Sequence, residues 1–183
     1  MQEQPLPIPG DNRILFFKRD RAVFGFLSNY HDAEITIDCE VWQSTEFYYQ
    51  AQKSHDPDYR TAIRKATSAD HAKGLGSDPK RSKKSRKRSW FHGRLSAWRA
   101  DWHDIKLVVM ETAVRAKFGQ NQHLRALLLG TGEADLVEDS AHDSFWGIGR
   151  DGCGENWLGR LLMRVRQELR DVSGGSTTGA GSG

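Results

Sequence analysis

The sequence predicts an α+β fold, mainly helical, in a single domain with a small β hairpin or sheet. Three observations lead there. Ala33–Asp38 and Cys39–Trp42 alternate with period two and carry β-branched residues, as a hairpin does. After Trp42 the period changes, and apolar residues recur at helical steps. A length of 183 residues suits one domain, large enough to bury a core without disulfides or metal.

The elements follow in order. Residues 1–12 are proline-rich and are expected to be extended and loosely held. Ile14–Phe17 reads as a short strand, and the hairpin follows. Ser44 or Thr45 can cap a helix from Glu46 to about Ser54. Short helices are predicted near Pro57–Ala66, where proline suits the first turn, and over Ser68–Leu75, ended by Gly74 and Gly76. The clearest helix is Asp101–Phe118, in which Trp102, Ile105, Val109, Ala113 and Ala116 share one face. Leu124–Leu129 is another short helix, stopped by Gly130. The last runs from about Asn156 to Leu169 and is expected to bury Leu158, Leu161, Leu162, Val165 and Leu169. Between these two, Asp143–Asn156 holds four glycines and two large aromatics and reads as a shaped loop. The folded domain is expected over 13–172, with a basic insertion near 77–97. Residues 173–183 have no apolar side chain larger than alanine and are expected to be disordered.

Charge is unevenly distributed. The chain has 27 basic and 24 acidic residues, a net of +3. Lys80–Arg88 alone holds seven basic residues and no acid. Without that run, 20 basic residues face 24 acidic ones, a net of −4. The run reads as a solvated, mobile loop, as a contact for a phosphate backbone, or as a nuclear address. The two cysteines, Cys39 and Cys153, form no CxxC and no disulfide framework. No secretory signal and no transmembrane run is visible, so a cytoplasmic protein with no membrane partner is expected.

The familiar chemical motifs are missing. The seven histidines show no HxxxH spacing, so no metal site is expected, and no cofactor either. Polar residues on apolar helix faces are more telling. Glu46, Gln50 and Lys53 share a face at i, i+4 and i+7, while Phe47, Tyr48 and Ala51 give that helix apolar surface elsewhere. A surface ion-pair stripe is the ordinary reading, and a buried polar pocket is the sharper one. On the long helix, Lys106 and Lys117 fall about 40° and 60° from Trp102, inside the apolar stripe or at its margin. Snorkelling explains that ordinarily; a lysine aimed into a cleft is the alternative. Arg166 lies at the margin of the last helix's stripe in the same way. Trp146, beside Gly147 in the shaped loop, is the best placed of six tryptophans to stack on a planar ligand.

Several motifs then occur in a fixed order. They are Leu27-Ser-Asn-Tyr30, Trp42-Gln-Ser-Thr-Glu-Phe-Tyr-Tyr-Gln-Ala-Gln-Lys53, Asp101-Trp102 with Lys106 and Met110, and Arg115-Ala-Lys-Phe118. Leu136-Val-Glu138, Asp143-x-x-Trp146-Gly-x-Gly149 and Gly154-x-Asn156-x-Leu-Gly-x-Leu-Leu-Met163 with Arg166 follow. Together they resemble the NADAR, or YbiA-like, family over roughly Phe24 to Leu169. The resemblance implies that family's fold and cleavage of an N-glycosidic bond at ribose. Some members hydrolyse phosphorylated ribosylamino intermediates of riboflavin synthesis. Others remove ADP-ribose from guanine in nucleic acid, reversing a toxin's modification. A non-catalytic module that binds ADP-ribose or NAD is a third reading, against which Glu46 and Asp143 argue. The insertion between Gly76 and Trp98 departs from shorter bacterial members and reshapes inference about the substrate.

The resemblance implies site residues as well. Glu46 and Asp143 are the carboxylates in the most family-like motifs, and Lys106 is the favoured catalytic amine. Ser28, Asn29, Lys53, Trp102, Lys117, Trp146, Gly147, Asn156 and Arg166 are expected to bind substrate. That substrate is either ADP-ribosylated nucleic acid, with phosphate contacts through Lys80–Arg88, or a ribosylated small molecule.

Overall fold

The computed structural model describes residues 12–17 and 23–174. The chain runs β1 (Arg13–Phe16), a 3-10 turn at Gly25–Leu27, β2 (Ile35–Ile37), β3 (Glu40–Trp42), α1 (Thr45–Ala51), α2 (Pro57–Arg64) and α3 (Ala69–Leu75). It continues through α4 (Lys83–Arg88), a 3-10 turn at Leu95–Ala97, α5 (Trp102–Gln120), α6 (Gln122–Gly130), β4 (Asp135–Glu138) and α7 (Trp157–Gly174). The fold is α+β and mainly helical, as the sequence predicts. Its contacts divide into two compact units: Asp32–Lys117, and the residues up to His31 together with those from Phe118 onward.

In the second of these units, β1 pairs in parallel with β4, Ile14 opposite Leu136 and Phe16 opposite Glu138. The sequence reading missed β4. Four residues are too few to show a period, and the strand is defined by its pairing with β1. α7 packs on β4 and on α6, burying Leu158, Leu161, Leu162 and Val165. It continues past the expected end at Leu169 to Gly174. The rest of the C-terminal tail and the N-terminal segment before Asn12 lie outside the described residues.

The other unit opens on the hairpin, with Ile35 opposite Trp42 and Ile37 opposite Glu40. Asp38 and Cys39 do not extend the strands as read from the alternation. Both take positive φ, 54° and 62°, and make the two-residue turn. Such a turn matches the twist of the flanking strands, and a hairpin this tight demands it. Arg60 and Arg64 of α2 lie over the Trp42 ring, 5.4 and 4.8 Å from its centroid, and both pair with Glu40. α2 starts where Asp56 accepts hydrogen bonds from Asp58 N and Tyr59 N, with Pro57 in the first turn. Ser68 caps α3 by accepting from His71 N. α1 is shorter than predicted, and Ser44 makes no side-chain capping bond.

From Lys83 to Arg88 the basic run is a helix, where its composition suggested a loop, and Lys80 and Arg81 precede it in a turn. Ser82 Oγ caps α4 by accepting from Ser85 N. The chain beyond α4 is anchored. Ser89 Oγ donates to Ser77 O at 2.5 Å, and Trp90 N donates to Leu75 O at 2.9 Å. Phe91 is fully buried, its ring 4.6 Å from those of both Tyr59 and Trp98.

Candidate active site

The hairpin sets the start of α1, and α1 carries the polar face into the interior. Glu46 and Gln50 are each 2% exposed and Lys53 is 9% exposed. Gln50 Nε2 donates to Glu46 Oε1 at 2.7 Å. Burial raises the Glu46 carboxyl above its ordinary range, opposed by the nearby charges of Lys73 and Lys53 and by the Gln50 bond. Lys53 Nζ donates to Gly76 O at 2.7 Å. It also sits 5.4 to 5.5 Å from the ring centroids of Tyr49, Trp98 and Trp102. Burial lowers the Lys53 amine to about 8, with Glu46 pulling the other way. The aromatic faces hold the cationic form by their quadrupoles, while excluding the water that would solvate it.

Three contributors to this cluster were not singled out by the sequence reading. Tyr59 OH donates to the main-chain oxygen of Gln50 at 2.7 Å. Trp98 closes one side of the Lys53 amine. Gly76 supplies the acceptor for Lys53, and a Cβ there would run into Gln50 Oε1 and Tyr59 OH. Only glycine allows so close an approach. Tyr59, Gly76 and Trp98 are distant from Glu46 in sequence, and no local pattern marks them.

α5 brings Trp102 to the same cluster, its ring 4.9 Å from that of Tyr49. Lys106 is half-buried. Lys117 is 1% exposed, which corrects the snorkelling reading, since a snorkelling ammonium reaches water. Burial lowers its amine to about 7. The buried face of α5 runs through Val109, Met110, Ala113, Val114, Lys117 and Phe118, and Ala116 is only half-buried.

The other unit gathers Asp143, Trp146, Gly147 and Asn156 at the end of β4. Asp143 Oδ1 accepts from Phe145 N at 3.1 Å and Trp146 N at 2.9 Å. Gly147 N donates to Asp143 O and Ile148 N to Glu138 O. A Cβ on Gly147 would lie 2.5 Å from Glu138 O, so the loop lies against the strand end only because that residue is glycine. Asn156 adopts φ +52° and bridges the strand, Oδ1 accepting from Glu138 N and Nδ2 donating to Leu136 O, each at 2.9 Å. Trp146 is half-buried, its ring edge-on to Phe145 at 5.0 Å. Ser28 is buried, with Oγ accepting from Tyr30 N, and Asn29 is half-buried beside it. Arg166 is buried and its Nη1 donates to Thr131 Oγ1 and Ala134 O, bonds that tie α7 to the turn before β4. Among the described residues no cluster of His, Cys, Asp and Glu is suited to a metal ion, and no helix is long and apolar enough to cross a membrane.

A buried carboxyl braced by an amide, beside an amine with a lowered proton affinity, is an arrangement for moving protons at a site closed to bulk water. The fold that carries it is a known one. Residues 15–170 match the NADAR domain, and the chain belongs to the NADAR family. The match takes in residues of both compact units. The chain is 42% identical over 156 residues to the N-glycosidase YbiA of Escherichia coli, covering 85% of this chain and 88% of that one. It is 40% identical over 159 residues to a riboflavin biosynthesis protein of Vibrio vulnificus, of which it spans 39% of the length. The NMR structure of Escherichia coli YbiA superimposes with a TM-score of 0.73 at 36% identity, over 89% of this chain and 88% of that one.

Proposed function

We propose that the protein is an N-glycosidase that cleaves the bond between ribose and a base nitrogen. The observation that carries this reading is the buried Glu46 carboxyl, which accepts a hydrogen bond from Gln50 and which burial makes a weaker acid than an ordinary carboxyl. Breaking the bond sends its electron pair to the base nitrogen and leaves positive charge on the anomeric carbon. Glu46 supplies the proton that the departing base accepts. Water adds to the anomeric carbon and gives up a proton to a carboxylate, which completes the hydrolysis. Asp143, fixed through Oδ1 by two backbone amides, is the second carboxylate that the family motifs offer, and a carboxylate at the anomeric carbon stabilises the developing charge. Trp146 offers a half-buried indole face on which a base or an adenine can stack. An amine that attacks the opened ribose has to be neutral, and burial suits Lys117 to that role. Half-buried Lys106 remains the catalytic amine that the resemblance favours, with a phosphate contact as its other role.

For the substrate, the reading is ADP-ribose on guanine in nucleic acid, supported by the basic segment at Lys80–Arg88. A second reading, a phosphorylated ribosylamino intermediate of riboflavin synthesis, is supported by the name of the Vibrio vulnificus relative. Incubation with ADP-ribosylated guanine DNA and, separately, with the ribosylamino pyrimidine phosphate tests both. Release of ADP-ribose from the DNA is expected. Cleavage of the pyrimidine alone selects the second reading, and cleavage of neither overturns the N-glycosidase assignment.

A further inference from the structure

The strongest charged feature outside the candidate site lies beside α4. Lys83, Arg86 and Lys87 stand three and four residues apart, so they share one face of that helix. Lys80, Lys83 and Arg86 line an open cleft of about 500 Å³, whose lining also includes Pro79, His92 and Leu95. No carboxylate lines it. Among the described residues, Lys80, Lys83 and Arg86 have no ion-pair partner. Like charges so placed repel one another, and an anion lying between them relieves the repulsion.

The platform is built into the fold. Phe91 anchors the chain after α4 in the core, and the Arg88 side chain donates to Asp70 O on α3. Lys83 and Arg86 are therefore presented by an ordered helix. We infer that this cleft docks the phosphate backbone of a nucleic acid, an inference that rests on the reading of modified nucleic acid as substrate. The basic residues of the cleft are exposed, so none is set to grip a single small phosphate. A polyanion brings successive charges about 3.4 Å apart along each strand and releases counterions at every contact. The rest of the chain carries a net of −4 and repels a polyanion, so the segment selects the face on which nucleic acid lands. Such contacts position a strand without reading its sequence.

The test measures binding of the whole protein to an unmodified, fluorescently labelled single-stranded DNA of about twenty nucleotides, longer than a typical single-strand site. Affinity is followed from about 50 to 200 mM salt for wild type, for Lys83→Ser with Arg86→Ser, and for Lys65→Ser with Arg150→Ser. The second pair removes the same charge from exposed positions outside the cleft. Wild type is expected to bind more weakly as salt rises. The cleft variant is expected to lose about 1.4 from the log–log slope, about 0.7 for each contact, and the control to keep the wild-type slope. Equal slopes in wild type and cleft variant overturn the inference. So does an equal loss in both variants, which would reflect net charge alone. Complete displacement of the DNA by inorganic phosphate at constant ionic strength also overturns it. The assay involves no turnover. Absence of glycosidase activity therefore counts against the proposed function, while unchanged salt slopes count against the cleft.

Discussion

Glu46 combines two demands on one side chain. Its burial works against ionisation, and the same burial keeps a proton available to a leaving group. Glu46→Gln keeps the volume and loses the transferable proton. Turnover on the true substrate is expected to fall by about 10² to 10³, the scale of losing one preorganised group at a reacting centre. Because the folded-state carboxyl is raised above its unfolded value, its contribution to stability is full at low pH and is lost as pH rises through the folded value. Glutamine does not titrate, so the variant gains stability relative to wild type on the alkaline side. Urea midpoints for the two proteins at low and high pH, beside steady-state rates, check both statements. Asn156 is the structural counterpart in the other unit. Asn156→Ala removes two hydrogen bonds and places a Cβ-bearing residue without a compensating side chain at φ +52°. A loss of about 1–3 kcal/mol is expected. Asn156→Gly, free of the backbone strain, is expected to lose less, as urea unfolding of the two variants measures.

At the scale of elements, the segment from α4 to the Leu95–Ala97 turn links surface charge to the interior. Phe91 touches Tyr59, whose hydroxyl holds the Gln50 main chain, and Trp98, whose ring faces Lys53. One aromatic thus supports both the basic helix and the wall of the candidate site. Phe91→Ala is expected to destabilise the protein by about 3–5 kcal/mol. It is also expected to accelerate amide exchange across Lys83–Arg88, read by hydrogen exchange. A loss well under 1 kcal/mol with unchanged exchange would show that α4 stands without this anchor.

Among the described residues, two lysines are buried, Lys53 and Lys117. Both amines are lowered from 10.5, to about 8 and about 7, chiefly by burial. Between the folded and unfolded values the unfolded chain binds more protons, so stability rises with pH across that window. For Lys117 the rise begins near pH 7 and ends near 10.5. Below pH 7 both states hold the proton, and the penalty of a buried ammonium is present in full. Lys117→Met keeps an unbranched side chain and removes that penalty. It is expected to raise the urea midpoint most at pH 6 and to flatten the climb towards alkaline pH. A variant whose midpoint tracks that of wild type at every pH would refute the assignment.

The sequence by itself determined whatever depends on neighbours a few residues away. The hairpin, the helices, the glycine loop before α7 and the shared face of Glu46, Gln50 and Lys53 all follow from periods of two or of 3.6 residues, or from turn chemistry. The ordered NADAR motifs were legible for the same reason, being written in short runs. Tertiary structure alone decided the rest. β4 became a strand because β1 pairs with it, and no period in four residues announces that. Asp38 and Cys39 became a turn because the register of Ile37 with Glu40 leaves them no partner strand. Lys117 was buried whole, where its position on the helix left snorkelling open. Gly76, Tyr59 and Trp98 were brought around Glu46 and Lys53 by packing between separate elements. A local pattern fixes which way a side chain leaves its own helix; what meets it there depends on contacts across the folded chain, which sequence spacing does not encode.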